Sequence, residues 1–130
     1  MQEPISREHI LRLLANNETR YKCTQPKLCI PVIDRICRKM RAGIRFAEIK
    51  VDHDLICDGH HRYVASLLAG YQASFIPSTR TSATRVTEWE SVDFETEDWD
   101  TPAKILMLNK LDAMYNDMSL ETLTEIVNKG

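Results

Sequence analysis

The sequence predicts an α/β chain in the α+β sense: a small mixed sheet covered by helices, with a helical hairpin at its C-terminal end. Two observations carry this. The run Leu55-Ile56-Cys57-Asp58-Gly59-His60-His61-Arg62-Tyr63 reads as a short apolar strand, a polar turn and the start of a helix that closes at Gly70. Helical stripes also occupy both ends of the chain, while short alternating stretches flank the central motif. With 130 residues, 43% of them apolar, one core of useful size can form. Two regions are expected, a core domain over 1–85 and an acidic helical extension over 86–130 packed on it.

No apolar run reaches the roughly 20 residues of a spanning helix, and no charged start leads into an apolar segment of signal-peptide type. The expectation is a cytoplasmic protein with no membrane partner. Cys23, Cys29, Cys37 and Cys57 lack C-x-x-C spacing and are expected to stay reduced. The formal net charge of −2 hides an asymmetry. Residues 20–62 carry ten Lys/Arg against five Asp/Glu, whereas residues 86–130 carry three Lys against eleven Asp/Glu. A basic half suits a phosphate-bearing ligand, and an acidic half can fold over it, repel nucleic acid or meet a basic partner.

Ser6 is the expected N-cap of a first helix, with Ile5 placed to pack against Ile10 and with Leu11, Leu13 and Leu14 extending the stripe to Asn16-Asn17. Residues 18–28 read as irregular, with Thr19-Arg20-Tyr21-Lys22 a candidate strand. Pro31 opens a second helix through Val32, Ile33, Ile36, Cys37 and Met40 to Ala42-Gly43. Its other face carries Arg35, Arg38, Lys39 and Arg41, a candidate nucleic-acid or phosphate contact, although cations in a last turn also answer the helix dipole.

Ile44 through Val51 alternates as a strand, Asp52-His53-Asp54 makes a turn, and Leu55-Ile56-Cys57 returns as its hairpin partner. The carboxylates beside His53 are read as turn formers rather than metal ligands. After the central helix, Tyr71 through Ile76 reads as a strand stopped by Pro77, and residues 78–85 as a loop. Thr101-Pro102 caps a helix carrying Ile105, Leu106, Leu108, Leu111, Met114 and Tyr115, and Ser119 caps a last helix with Leu120, Leu123, Ile126 and Val127.

The chemistry concentrates in the central turn. The first N–H groups of a helix lack partners and face the positive end of its dipole, so a strand–turn–helix junction is an anion site. Gly59 lets a ligand approach the backbone, and His61 and Arg62 add phosphate donors. His60 and His61 are candidate acid/base groups, adjacent positions being poorly placed to share a structural zinc. Asp58 is a candidate N-cap, a group orienting a nucleophile, or a ligand for Mg²⁺ beside a polyphosphate.

These residues carry a resemblance. Ile49-Lys50-Val51, a turn, Leu55 through Tyr63, Ala65 through Gly70 and Phe75-Ile76, with the preceding helix ending at Ala42-Gly43, resemble the ParB/sulfiredoxin superfamily over residues 28–77. Its members include the N-terminal domain of ParB partition proteins, sulfiredoxin, a free-serine kinase, and plasmid proteins described as ATPases and DNases. Sulfiredoxin has a reactive cysteine where this chain has His60, so the resemblance does not imply sulfinic-acid reduction. ParB has Glu-Arg-Arg after the glycine and uses that loop in binding CTP; Gly59 and Arg62 fit, and the His-His pair departs. The tail from Glu88 does not resemble ParB's helix-turn-helix. The form Asp-Gly-His-His-Arg-Tyr is closest to stand-alone members and to ParB-like domains of polymorphic bacterial toxins, which also begin with a short Ile-Ser-Arg helix.

Together these imply a ParB-like domain that binds nucleotide phosphates, with ATP or CTP and Mg²⁺ as cofactors and DNA as a further partner. The expected activity is phosphoryl chemistry: NTP hydrolysis or transfer, or DNA phosphodiester cleavage, in a bacterial toxin or plasmid-conflict setting. The alternative is a non-enzymatic module that meets an immunity or regulatory protein through its acidic C-terminal helices. An HNH-type nuclease, suggested by Gly-His-His, fits less well because a helix follows in place of a ββα-metal arrangement.

Overall fold

The computed structural model describes residues 5–16 and 21–129. Its elements are α1 (Arg7–Ala15), β1 (Lys27–Cys29), α2 (Ile30–Arg41), β2 (Ile49–Asp52), β3 (Leu55–Asp58), α3 (His60–Ala69), β4 (Phe75–Pro77), β5 (Asp93–Glu95), α4 (Pro102–Tyr115) and α5 (Leu120–Lys129). The fold is mixed α+β. No described helix is long and apolar enough to cross a membrane.

The helix ends follow local chemistry. Ser6 Oγ accepts the His9 N–H at 3.2 Å, and Thr101 Oγ1 accepts that of Lys104 at 3.2 Å. Pro31 and Pro102 occupy first-turn positions where no N–H is needed. Asn17 and the stretch Thr19-Arg20 lie outside the described residues; Lys22 forms only an isolated bridge beside Leu55.

The main sheet has the order β3-β2-β4, with β2 antiparallel to β3 and parallel to β4. Lys22 extends it beyond β3, its N–H donating to Asp54 O at 2.7 Å and its carbonyl accepting the Ile56 N–H at 3.0 Å. A second, two-stranded parallel sheet joins β1 to β5. That pair is absent from the sequence expectation, since three-residue strands are too short to display alternation.

The expected strand over Ile44–Val51 shrinks to β2, beginning at Ile49. The cause is competition for the backbone. Asn116 brackets Arg45, its Oδ1 accepting the Arg45 N–H at 2.8 Å and its Nδ2 donating to the Arg45 carbonyl at 3.0 Å. The Tyr71 hydroxyl oxygen accepts the Phe46 N–H at 3.1 Å. Ile44 leaves the sheet altogether and packs with Ala113 and Leu123.

The core unites α1, α2, α3 and both sheets through residues such as Ile10, Leu28, Ile33, Ile56 and Val64. Each large apolar side chain buried there contributes about 1.5–3 kcal/mol relative to exposure. Trp89, Val92 and Phe94 belong to the same core, and β5 pairs with β1, so the acidic half enters the core before it forms the hairpin. All four cysteines are free thiols, and burial pushes the Cys23 thiol up to about 11.

Candidate functional site

The β3–α3 turn is built by Gly59, whose φ of 101° is reached readily only without a side chain. This corrects the sequence expectation for Asp58: it is the last residue of β3, in register with Lys50, and Gly59 is the N-cap, which supplies no side-chain hydrogen bond. The first bond of α3 runs from the Tyr63 N–H to Gly59 O at 2.8 Å. The backbone N–H groups of His60, His61 and Arg62 therefore have no hydrogen-bond partner among the described residues.

Arg62 turns back over this end of the helix. A Cβ placed on Gly59 would lie 2.8 Å from Arg62 Nη2, so the glycine leaves room for the guanidinium to lie against the main chain. Arg62 Nη2 donates to Asp58 Oδ2 at 3.2 Å, and the Asp58 side chain is 66% exposed. A single exposed carboxylate fits Mg²⁺ only when phosphate oxygens and water complete the shell. Among the described residues, no group of three or more His, Cys, Asp or Glu side chains gathers to hold a metal.

Both histidines are occupied by the main chain. His60 Nε2 accepts the Thr24 N–H at 3.0 Å, while the Thr24 hydroxyl donates to Ile56 O at 2.6 Å. His61 Nε2 accepts the Cys29 N–H at 3.0 Å. An accepting Nε2 places the proton of the neutral ring on Nδ1, a tautomer assigned from these bonds. Burial first, and for His60 also the neighbouring His61, lowers each pKa to about 4, so both rings are neutral at pH 7. Neither Nε2 is a phosphate donor in this arrangement, and acid/base use of either ring requires release of a backbone N–H.

The acidic segment folds over the basic helix. Arg35 grips Asp98 through both guanidinium nitrogens and reaches Asp100 at 2.9 Å. Hydrogen bonds from Arg35 first, and from the Asp100 N–H, hold the Asp98 carboxyl down at about 2. Between these aspartates, Trp99 presents an edge-on contact to His61 at a centroid distance of 5.4 Å. Cys29 pins the segment, its thiol donating to Glu97 O at 3.3 Å and accepting the Trp99 N–H at 3.4 Å. Lys39, only 7% exposed, donates to Asp112 Oδ2 at 2.7 Å.

The four cations expected to form one phosphate-facing surface are thus divided. Arg35 and Lys39 are committed to carboxylates of the acidic half. Arg38 is exposed and pairs with Asp34 one turn earlier at 3.1 Å; Arg41 is exposed and donates to Leu68 O at 3.3 Å. Aspartates 98, 100 and 112 are the partners that sequence reasoning left unassigned, and the opposite charge of the two halves was the signal for them.

Beside the turn lies a cavity of ≈ 210 Å³ whose wall includes Arg62, Val32, Ile36, Phe46, Ile105 and Leu108. Drug-sized sites run to roughly 300–1,000 Å³, so this one suits a small ring or fragment. Arg62 borders both the cavity and the start of α3.

No family model, curated protein or solved structure matches the chain.

Proposed function

We propose that the chain is a nucleotide-phosphate-binding domain whose ligand seats its phosphates on the first turn of α3. The observation that carries this reading is the juxtaposition of three unpartnered N–H groups, at His60, His61 and Arg62, with a guanidinium folded against Gly59. The resemblance of residues 28–77 to the ParB/sulfiredoxin superfamily supports the same reading, because Gly59 and Arg62 fall where ParB has its glycine and an arginine.

Arg62 neutralises the phosphates, exchanging its 3.2 Å bond to Asp58 for a bidentate one to phosphate. Asp58, released, is the carboxylate available to hold Mg²⁺ against ATP or CTP or to orient a nucleophile. His60 and His61 act as hydrogen-bond acceptors that tie α3 to Thr24 and Cys29, fixing the first turn of the helix. NTP hydrolysis, phosphoryl transfer and DNA cleavage all begin with this binding step. In the DNA case, Arg38 and Arg41 are the cations of α2 that stand at the surface.

The test is amide-resolved NMR of the full chain titrated with CTP and ATP, with and without Mg²⁺. The largest shifts are expected at the amides of Gly59, His60, His61 and Arg62. Shifts confined to Arg38 and Arg41, or none at millimolar nucleotide, would overturn the reading.

A further inference from the structure

The cavity between α2 and α4 has the build of a ligand site in its own right, independent of the phosphate reading. Val32, Arg35, Ile36 and Lys39 line it from α2, and Ile105, Leu108, Asn109 and Asp112 from α4. Both sets follow the spacing i, i+3, i+4, i+7, so each is a single helix face. Lys39–Asp112 at 2.7 Å and Arg35–Asp100 at 2.9 Å bridge the two sides.

Two polar groups on this wall have hydrogen-bonding capacity left over. Lys39 is buried, and its ammonium carries three N–H donors. Asp112 takes up one of them, and no other group among the described residues accepts from it. Asn109 lines the same cavity and makes no side-chain hydrogen bond to any described residue. It stands one turn before Asp112, which puts its carboxamide and the Lys39 ammonium on one side of the cavity. Buried donors without acceptors are costly, and a ligand carrying acceptor oxygens relieves that cost.

Charge and volume narrow the class of ligand. Three cations, Arg35, Lys39 and Arg62, border the cavity with two carboxylates, Asp100 and Asp112, leaving one net positive charge. That balance suits a monoanion, whereas a phosphate dianion exceeds it beside two aspartates. The remaining wall is apolar, with Phe46 joining the aliphatic side chains of the two helices. A cavity of roughly 150 Å³ with such walls admits benzene. The ≈ 210 Å³ here leaves room for a carboxylate as well.

We propose that this cavity binds a small monocarboxylate whose apolar body is the size of one benzene ring. The carboxylate accepts from Lys39 Nζ and Asn109 Nδ2, and the ring lies against the apolar wall.

Titration of the full chain with phenylacetate, followed by methyl-resolved NMR, tests this. Saturable shifts are expected at the methyl groups of Val32, Ile36, Ile105 and Leu108, with a Kd of about 0.1–1 mM, in the range for a ligand of this size. Acetate, which lacks the ring, and phenylacetamide, which lacks the charge, should each bind about tenfold more weakly or worse. Asn109→Ala should weaken phenylacetate binding about tenfold. Lys39→Met combined with Asp112→Leu, which leaves no charge stranded, should bind the acid no better than the amide. The proposal is overturned if those methyl groups do not shift at about 10 mM phenylacetate, or if the wild type binds acid and amide equally. It is also overturned if Asn109→Ala and the double variant both bind phenylacetate as the wild type does. Nucleotide binding is read at the amides of residues 59–62 instead, so failure at either place is distinguishable from failure at the other.

Discussion

His61 Nε2 accepts the backbone N–H of Cys29 at 3.0 Å, joining the first turn of α3 to the N-cap of α2. With the parallel bond from Thr24 to His60, it makes the two histidines structural acceptors at the base of the candidate site. Each bond requires a neutral ring, which couples the geometry of the turn to pH.

The chain should lose stability as pH falls from about 6.5 towards 4. Each histidine titrates near 6.5 when unfolded and at about 4 when folded, so within this window the unfolded state binds more protons. The contribution is complete above the unfolded pKa, declines through the window and levels off below the folded pKa. Its size is at most roughly 3 kcal/mol per ring. Urea unfolding at pH 7.5, 5.5 and 4.5 measures the slope. His60→Asn with His61→Asn should flatten it, whereas an unchanged slope would mean that other groups carry the dependence.

Removing one half of the Lys39–Asp112 pair should be costly. Lys39 is buried, so Asp112→Ala strands an ammonium in a low-dielectric site at a cost of about 3–5 kcal/mol. Lys39→Met combined with Asp112→Leu should recover most of it, because two well-packed apolar groups need no partner. Chemical denaturation of the three variants checks the order; equal losses in single and double variants would refute it.

Asn116→Ala should cost about 1–3 kcal/mol, since it removes both bonds that bracket the Arg45 peptide groups. Hydrogen exchange at the Arg45 amide reports this directly, with faster exchange expected in the variant.

Gly59→Ala is expected to act on site and stability together. A side chain at a φ of 101° costs about 1–2 kcal/mol. The new methyl would also displace the Arg62 guanidinium, whose Nη2 lies 2.8 Å from the position of that Cβ. Thermal unfolding gives the first effect, and nucleotide titration gives the second as lost affinity.

Local signals in the sequence suffice where one element decides its own ends. Ser6, Pro31, Thr101-Pro102 and Gly70 mark helix boundaries within a residue or two of those observed, because caps depend on the nearest turn. The pattern misleads where distant groups decide. Residues 44–48 alternate like a strand, yet Asn116 and Tyr71 take their peptide groups. Strands β1 and β5 exist through their mutual pairing across more than sixty residues, which no local window contains. At the site, the left-handed turn at Gly59 is legible from its residue type. The acceptor role of His60 and His61 is not, since Thr24 and Cys29 contribute only main-chain N–H groups, which every non-proline residue has.

Calorimetric titration of the wild-type chain and Arg62→Ala with CTP and ATP in the presence of Mg²⁺ tests the central claim most directly. A charge-assisted contact of about 1.5–3 kcal/mol predicts roughly 10- to 100-fold weaker nucleotide binding in Arg62→Ala. Arg38→Ala, altering an exposed cation that pairs with Asp34, should bind as the wild type does. Nucleotide binding that is absent from the wild type, or equal in wild type and Arg62→Ala, would contradict the account.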